Sequence, residues 1–180
     1  MKNAMKFEFE KFKSLVHYVC EKASGKSSVL GAIKLNKVLW YSDVVAYKVL
    51  GRSITGEVYV KRQYGPVPKH VLSAIDALVA DGKIARGKVD HFGFVKNEYI
   101  AIEDCSVSQF SADEIKLIDE AFEHVCMNHT ARSVSEETHD IIWQIAQMGE
   151  VMPYEAVFAS TAGEIDETDL AWANKELVAA

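Results

Sequence analysis

Three short stretches hold residue types that do chemistry. Gly25-Lys26-Ser27 has the closing residues of a phosphate-cradling loop, in which backbone N–H groups and a lysine hold phosphoryl oxygens. That motif needs a glycine five residues earlier and a preceding strand; Cys20 stands there instead, on a helix-like pattern, so the stretch reads as a polar connector. His124, Cys126 and His129 fall close together, with His139 beyond them. Imidazoles and thiolates bind zinc when three or four converge. A separation of five does not put residues 124 and 129 on one face of an α-helix, and no His-Glu-x-x-His or paired-cysteine motif is present. These histidines therefore read as ordinary surface or half-buried side chains. Thr138-His139-Asp140 has the groups of a nucleophilic relay, but neighbours on a helix point apart. There is no nucleophile elbow and no dinucleotide fingerprint. The chain reads as a non-enzyme, with no metal or cofactor.

The 180 residues include 49% hydrophobic and 26% charged side chains, an ordinary globular balance that excludes disorder as a description of the whole. They form a single domain by expectation. No apolar run approaches the roughly 18 residues that cross a bilayer, and the first ten residues lack the apolar stretch of a secretion signal, so a cytoplasmic location is expected. Three scattered cysteines, Cys20, Cys105 and Cys126, suit reduced thiols. The net charge of −6 is unevenly placed: residues 1–100 carry 17 Lys+Arg and 9 Asp+Glu, residues 101–180 carry 3 and 17. Either the acidic half folds against the basic half, or a charged face awaits a partner.

The positioning elements follow from periodicity. Residues 7–23 predict a helix with Phe12, Leu15, Val16 and Val19 inward. A second spans about 30–50 and stops at Gly51; apolar residues nearly encircle it, leaving a narrow exposed strip through Lys34, Lys37, Tyr41 and Lys48. Residues 53–61 predict a short strand or extended hairpin arm, and Tyr64-Gly65-Pro66-Val67-Pro68 a stiff turn whose Pro68 enters the first turn of a third helix. That helix carries a stripe of Val71, Leu72, Ile75, Leu78 and Val79 and ends at Asp81-Gly82. Residues 83–103 predict a β-ribbon. Ser111-x-x-Glu114 and Ser133-x-x-Glu136 are capping boxes. The first opens a helix to about 128. The second opens one carrying Ile141, Ile142 and Ile145 and ending at Gly149. Another turn is expected over 153–158 and a last helix over 166–177. The fold class is mainly α with a small antiparallel ribbon, in a winged-helix-like order through the N-terminal half.

That order invites a DNA-binding reading. The outer face of the third helix would present His70, Ser73, Ala74, Asp76 and Ala77, which offers few base-reading donors and one carboxylate opposed to phosphate. DNA is therefore disfavoured as a partner, and a winged-helix regulator of its own operon is the alternative reading.

Lys34-Leu35-Asn36-Lys37-Val38-Leu39-Trp40-Tyr41-Ser42-Asp43 resembles the K-L-x-K-L-L-Y-x-x-D helix of the Panacea domain, the SocA-like family. Gly51-Arg52-Ser53-Ile54-Thr55-Gly56-Glu57 resembles its G-x-x-I-T-G segment, and Tyr64-Gly65-Pro66-Val67 its Y-G-P-V turn, in the same order. The strongest match covers about residues 30–84, and Trp40 departs from the Leu or Tyr more often found there. The resemblance implies an antitoxin that binds a cognate protein toxin directly, of a kind often encoded in prophages. It implies no catalytic residue. The candidate contacts around the motif-bearing turn are Tyr41, Arg52, Lys61, Arg62, Tyr64 and Pro66. An acidic C-terminal half would complement a basic toxin. The small apolar tail, Leu177-Val178-Ala179-Ala180, resembles segments gripped by AAA+ proteases; it makes such a protease a second possible partner, and an adaptor presenting its partner for degradation a further alternative reading.

Overall fold

Apolar side chains on nearly every face make the second helix the centre of the molecule. The computed structural model describes residues 6–26, 29–91 and 93–159. Helix α1 (Phe9–Ala23) precedes α2 (Ala32–Leu50), in which Leu35, Val38, Leu39, Trp40 and Val44 are buried. Each such side chain contributes about 1.5–3 kcal/mol of transfer free energy. Strands β1 (Tyr59–Arg62) and β2 (Gly65–Pro68) follow, then α3 (Val71–Ala80) and the ribbon β3 (Ile84–His91) and β4 (Phe94–Ala101). Helix α4 (Ala112–Phe122) continues into a π-helical turn, Glu123–Met127. Helices α5 (Ala131–Glu137) and α6 (Ile141–Ile145), the two-residue strand β5 (Val151–Met152) and α7 (Ala156–Ala159) complete the described chain. Helix α2 packs against α1, α4, α5 and β2.

The expected ribbon is present, with β3 and β4 paired from Ile84↔Ala101 to His91↔Phe94. A second sheet joins it: β1 is the middle strand of an antiparallel set ordered β2-β1-β5. The stretch from Tyr64 to Pro68 is thus a strand entered through a turn, and only the last part of residues 53–61 is extended in a sheet. Proline lacks an N–H, and β2 is an edge strand that can dispense with some. Pro68 ends β2 and does not start α3. Within α3, Leu72 and Val79 face outward at 65% and 37% exposure, so the buried stripe is Val71, Ala74, Ile75 and Leu78. The Ser111–Glu114 capping box forms as expected. The next does not: Thr130 caps α5 by accepting from Ser133, and Asp140 caps a separate α6 by accepting from Trp143. Gly149 lies beyond that helix, at φ 87°. The segments at 166–177 and 177–180 lie outside the described residues.

Part of the charge asymmetry is resolved internally. Buried Glu114 pairs with Lys11 at 3.0 Å and Arg52 at 2.7 Å, and Lys22 pairs with Asp119 at 2.7 Å. Burial raises the Glu114 carboxyl, but bonds from the Ser111 backbone, Lys11 and Arg52 outweigh it and hold the group below its ordinary range. The three cysteines are free thiols. Burial pushes Cys20 up to about 12 and Cys105 up to about 11, so both stay protonated and unreactive at neutral pH. Among the described residues no helix is long and apolar enough to cross a membrane.

Asp43, fully buried in α2, ties the following loop to the core. Its Oδ1 accepts from the backbone N–H groups of Ile54 at 2.8 Å and Thr55 at 2.9 Å. Its Oδ2 accepts from the Thr55 hydroxyl at 2.7 Å. The Tyr59 hydroxyl lies 2.8 Å from both Oδ2 and the Leu39 carbonyl and divides its proton between them. Burial raises the carboxyl to about 6 against these donors. Asp43→Ala strands two buried backbone donors at about 1–3 kcal/mol each and is expected to cost about 3 kcal/mol or more in urea unfolding. Asp43→Asn keeps the oxygen facing the backbone, while the two hydroxyls can turn to accept, and is expected to cost clearly less. Equal, small losses for both substitutions would contradict this anchoring role.

Candidate partner-binding site

The β1–β2 hairpin is built from below by a buried amine. Lys37, on α2, is 1% exposed and not part of an exposed strip. Its Nζ donates to the Tyr64 carbonyl. Burial beneath the hairpin lowers its pKa to about 7. Gly65 is required above it. The residue sits at φ 105°, and a Cβ there would collide with Lys37 Nζ and stand 2.5 Å from the Thr138 hydroxyl. The hairpin backbone thereby rests directly on the amine.

The other side of β1 is clamped by the segment after α5. Lys61 donates to the Ala146 carbonyl at 2.9 Å and lies 4.0 Å from the centre of the Trp143 ring. The Trp143 indole donates to the Arg62 carbonyl at 3.1 Å. The Gly149 N–H donates to the Lys61 carbonyl at 2.9 Å, and the Lys61 N–H to the Glu150 carbonyl at 2.8 Å. His139 stacks on Trp143 with ring centres 3.6 Å apart. Its buried Nε2 finds no hydrogen-bond partner among the described residues. Burial and the nearby Lys37 charge lower its pKa, so the ring packs in neutral form at physiological pH.

The six candidate contacts separate into groups. Arg62 and Tyr64 are exposed at the hairpin tip, Tyr64 by 52%. Lys61 and Pro66 are buried, so their side chains support the hairpin and do not present themselves to a partner. Arg52 is exposed but pairs with Glu114 past the far end of α2. Tyr41 is half-buried; its hydroxyl donates to Glu137, and its ring meets His124 edge-on at 5.1 Å. Burial and Glu137 push its pKa far above the ordinary tyrosine value. Sequence reading missed the second strip of this surface. Ile145, Met148 and Val151 are 73%, 62% and 54% exposed and flank the tip through the Val60↔Val151 pairing and the approach of Gly149 to Arg62. A cleft of about 220 Å³ opens beside it, lined by Ile33, Asn36, Lys37, Arg62, Tyr64 and Pro66.

A hairpin with a buried lysine under a Tyr-Gly-Pro-Val edge, joined to a Thr55 loop anchored on Asp43, contains all three quoted motifs in one connected structure. The family model for the SocA-like antitoxin, Panacea domain, matches residues 35–144, more than half of the chain. The chain belongs to the SocA-like antitoxin family. Comparison with curated proteins returned no match, nor did comparison with solved structures. The matched span runs from α2 into α6 and includes the ribbon, α5 and the quoted motifs apart from Lys34, with the strongest motif match at about residues 30–84 lying almost wholly inside it.

The depressed Lys37 pKa has a measurable consequence. Above pH 7 the unfolded chain holds a proton on Lys37 that the folded protein has released, so stability rises with pH toward the ordinary lysine value. Between pH 7 and 8.5 the expected gain is about 2 kcal/mol. Urea unfolding across that window should show the slope in the wild type and lose it in Lys37→Met. The same slope in both proteins would place the titration elsewhere.

Proposed function

We propose that this Panacea-domain protein is an antitoxin that neutralises a cognate protein toxin in the cytoplasm by direct binding, without catalysis of its own. Family membership supports the antitoxin role. The contact surface rests on one observation: Tyr64 and Arg62 stand exposed on a turn whose backbone is held from two sides, by Lys37 and by the Trp143–Glu150 segment. Tyrosine and arginine dominate binding energy at interfaces because they combine large contact area with a polar handle. A pre-ordered tip loses little further entropy on docking. Ile145, Met148 and Val151 supply apolar area beside it.

Arg52 and Tyr41 fall outside this primary contact, since each is engaged at another region of α2. The DNA alternative gains no support from α3, whose exposed Asp76 pairs with Arg86 of the ribbon at 3.1 Å and ties down a basic side chain there.

The test is co-expression with the product of the adjacent gene, scored by growth. Arg62→Ala combined with Tyr64→Ala is expected to abolish rescue while changing stability by no more than about 1 kcal/mol, as exposed substitutions do. Rescue by the double variant would remove the tip from the interface. Loss of folding would assign both residues to the scaffold.

A further inference from the structure

The π-helical turn after α4 changes what the histidines can do. Its wider, i→i+5 bonding includes the Asn128 N–H to the Glu123 carbonyl at 3.3 Å. With the chain reversal into α5, this brings the His124 and His129 rings to 4.7 Å between centres. A regular α-helix would have kept them apart, as the spacing of five suggested. Glu137, from the last turn of α5, enters between them. His124 Nε2 lies 2.8 Å from Glu137 Oε1, and His129 Nε2 lies 3.0 Å from Oε2. The three ligand atoms all fall within 4.8 Å of one another.

The surrounding bonds orient this trio. His129 Nδ1 lies 3.0 Å from the Ser133 hydroxyl, leaving Nε2 to face the carboxylate. The Tyr41 hydroxyl donates to Glu137 Oε1. Outer hydrogen bonds of this kind fix ring orientation and carboxylate position at metal centres. His129 Nε2 can donate to Oε2 when the Ser133 hydroxyl donates to Nδ1; when Nδ1–H donates to Ser133 instead, Nε2 is a free lone pair directed at the carboxylate, as a metal ligand must be.

We infer that His124, His129 and Glu137 form a zinc-binding site with three protein ligands and a fourth position open to water. Two imidazoles and one carboxylate are a donor set that zinc favours over the oxygen-seeking calcium and magnesium. Tetrahedral ligands at zinc bond lengths stand about 3.3 Å apart; the two His–Glu contacts, 2.8 and 3.0 Å to separate carboxylate oxygens, are shorter than this, and the set, all within 4.8 Å, would adjust around an ion. All three side chains are partly exposed, so the ion can enter from solvent and keep a water. The bound ion would pin α5 to the end of α4. This site lies on different elements from the hairpin tip and does not depend on the toxin reading.

The test uses the untagged full chain with its cysteines kept reduced, titrated with zinc chloride by calorimetry. One zinc per chain with micromolar or tighter affinity is expected, together with a higher melting temperature in zinc. His124→Ala and His129→Ala should each weaken binding at least tenfold and remove the melting shift, with circular dichroism showing intact folds. Absence of binding by the wild type below millimolar zinc overturns the proposal. So does undiminished one-to-one binding by the folded double variant, which would assign the zinc to other groups. Should the variants not fold, the wild-type isotherm alone decides, read with Glu137→Gln, which is expected to weaken binding.

Discussion

The structure depends on one buried carboxylate. Asp43 sits at zero exposure in the middle of α2 and gathers the backbone of Ile54 and Thr55, the Thr55 hydroxyl and a share of the Tyr59 proton. A loop leaving a helix has polar backbone groups that must be satisfied if it is to lie against a core. Here a single side chain satisfies two and fixes where β1 begins. The position of β1 then determines β2, β5 and the turn between them. The loop's next carboxylate continues the pattern: Glu57, also buried, lies within 2.9 Å of His70 Nδ1 and accepts from the Val58 N–H at 2.6 Å, tying the start of α3 to the same loop.

Lys37 complements Asp43 from the preceding turns of the same helix. Burying an amine is costly unless its polar atoms are used, and here the cost is reduced by release of the proton and by one hydrogen bond to the Tyr64 carbonyl. What is gained is placement. The Tyr-Gly-Pro-Val segment has Gly65 where the amine needs room, prolines on an edge strand where missing N–H groups do least harm, and Tyr64 directed outward. The family's three motifs are therefore mainly scaffold, and within them Arg52 and Tyr64 alone are strongly exposed among the candidate contacts.

Much of the framework is legible from the residues. Periodicity locates α1, α2, α3 and α4, the Ser111–Glu114 box locates the start of α4, and glycine spacing with β-branched residues locates the ribbon. The misreadings have local causes. Lys37 reads as belonging to a solvent strip because lysine is seldom buried and this one falls in the gap of the apolar ring around α2; the hairpin that covers this gap is a tertiary feature. Tyr64–Pro68 looks like a turn because two prolines in five residues argue against a strand, and only the sheet order shows that this strand is an edge. Ser133-x-x-Glu136 fits the sequence pattern of a capping box and Thr130-x-x-Ser133 does not, yet the helix starts at the earlier one, with the Ser133 hydroxyl taking the place of the usual carboxylate. The His124–His129 proximity depends on a π turn, which has no sequence signal in a single chain. Ile145 and Met148 fall within the helix expected to end at Gly149, whereas α6 ends at Ile145, and Val151 joins them only through its pairing with β1.

Hydrogen exchange of the protein alone and bound to its toxin tests the central claim most directly. Slowed exchange on binding is expected to concentrate at residues 62–64 and 145–151, with the ribbon and the outer face of α3 unchanged. Protection confined to the ribbon or to α3, with the hairpin tip exchanging as freely as in the unbound protein, would contradict it.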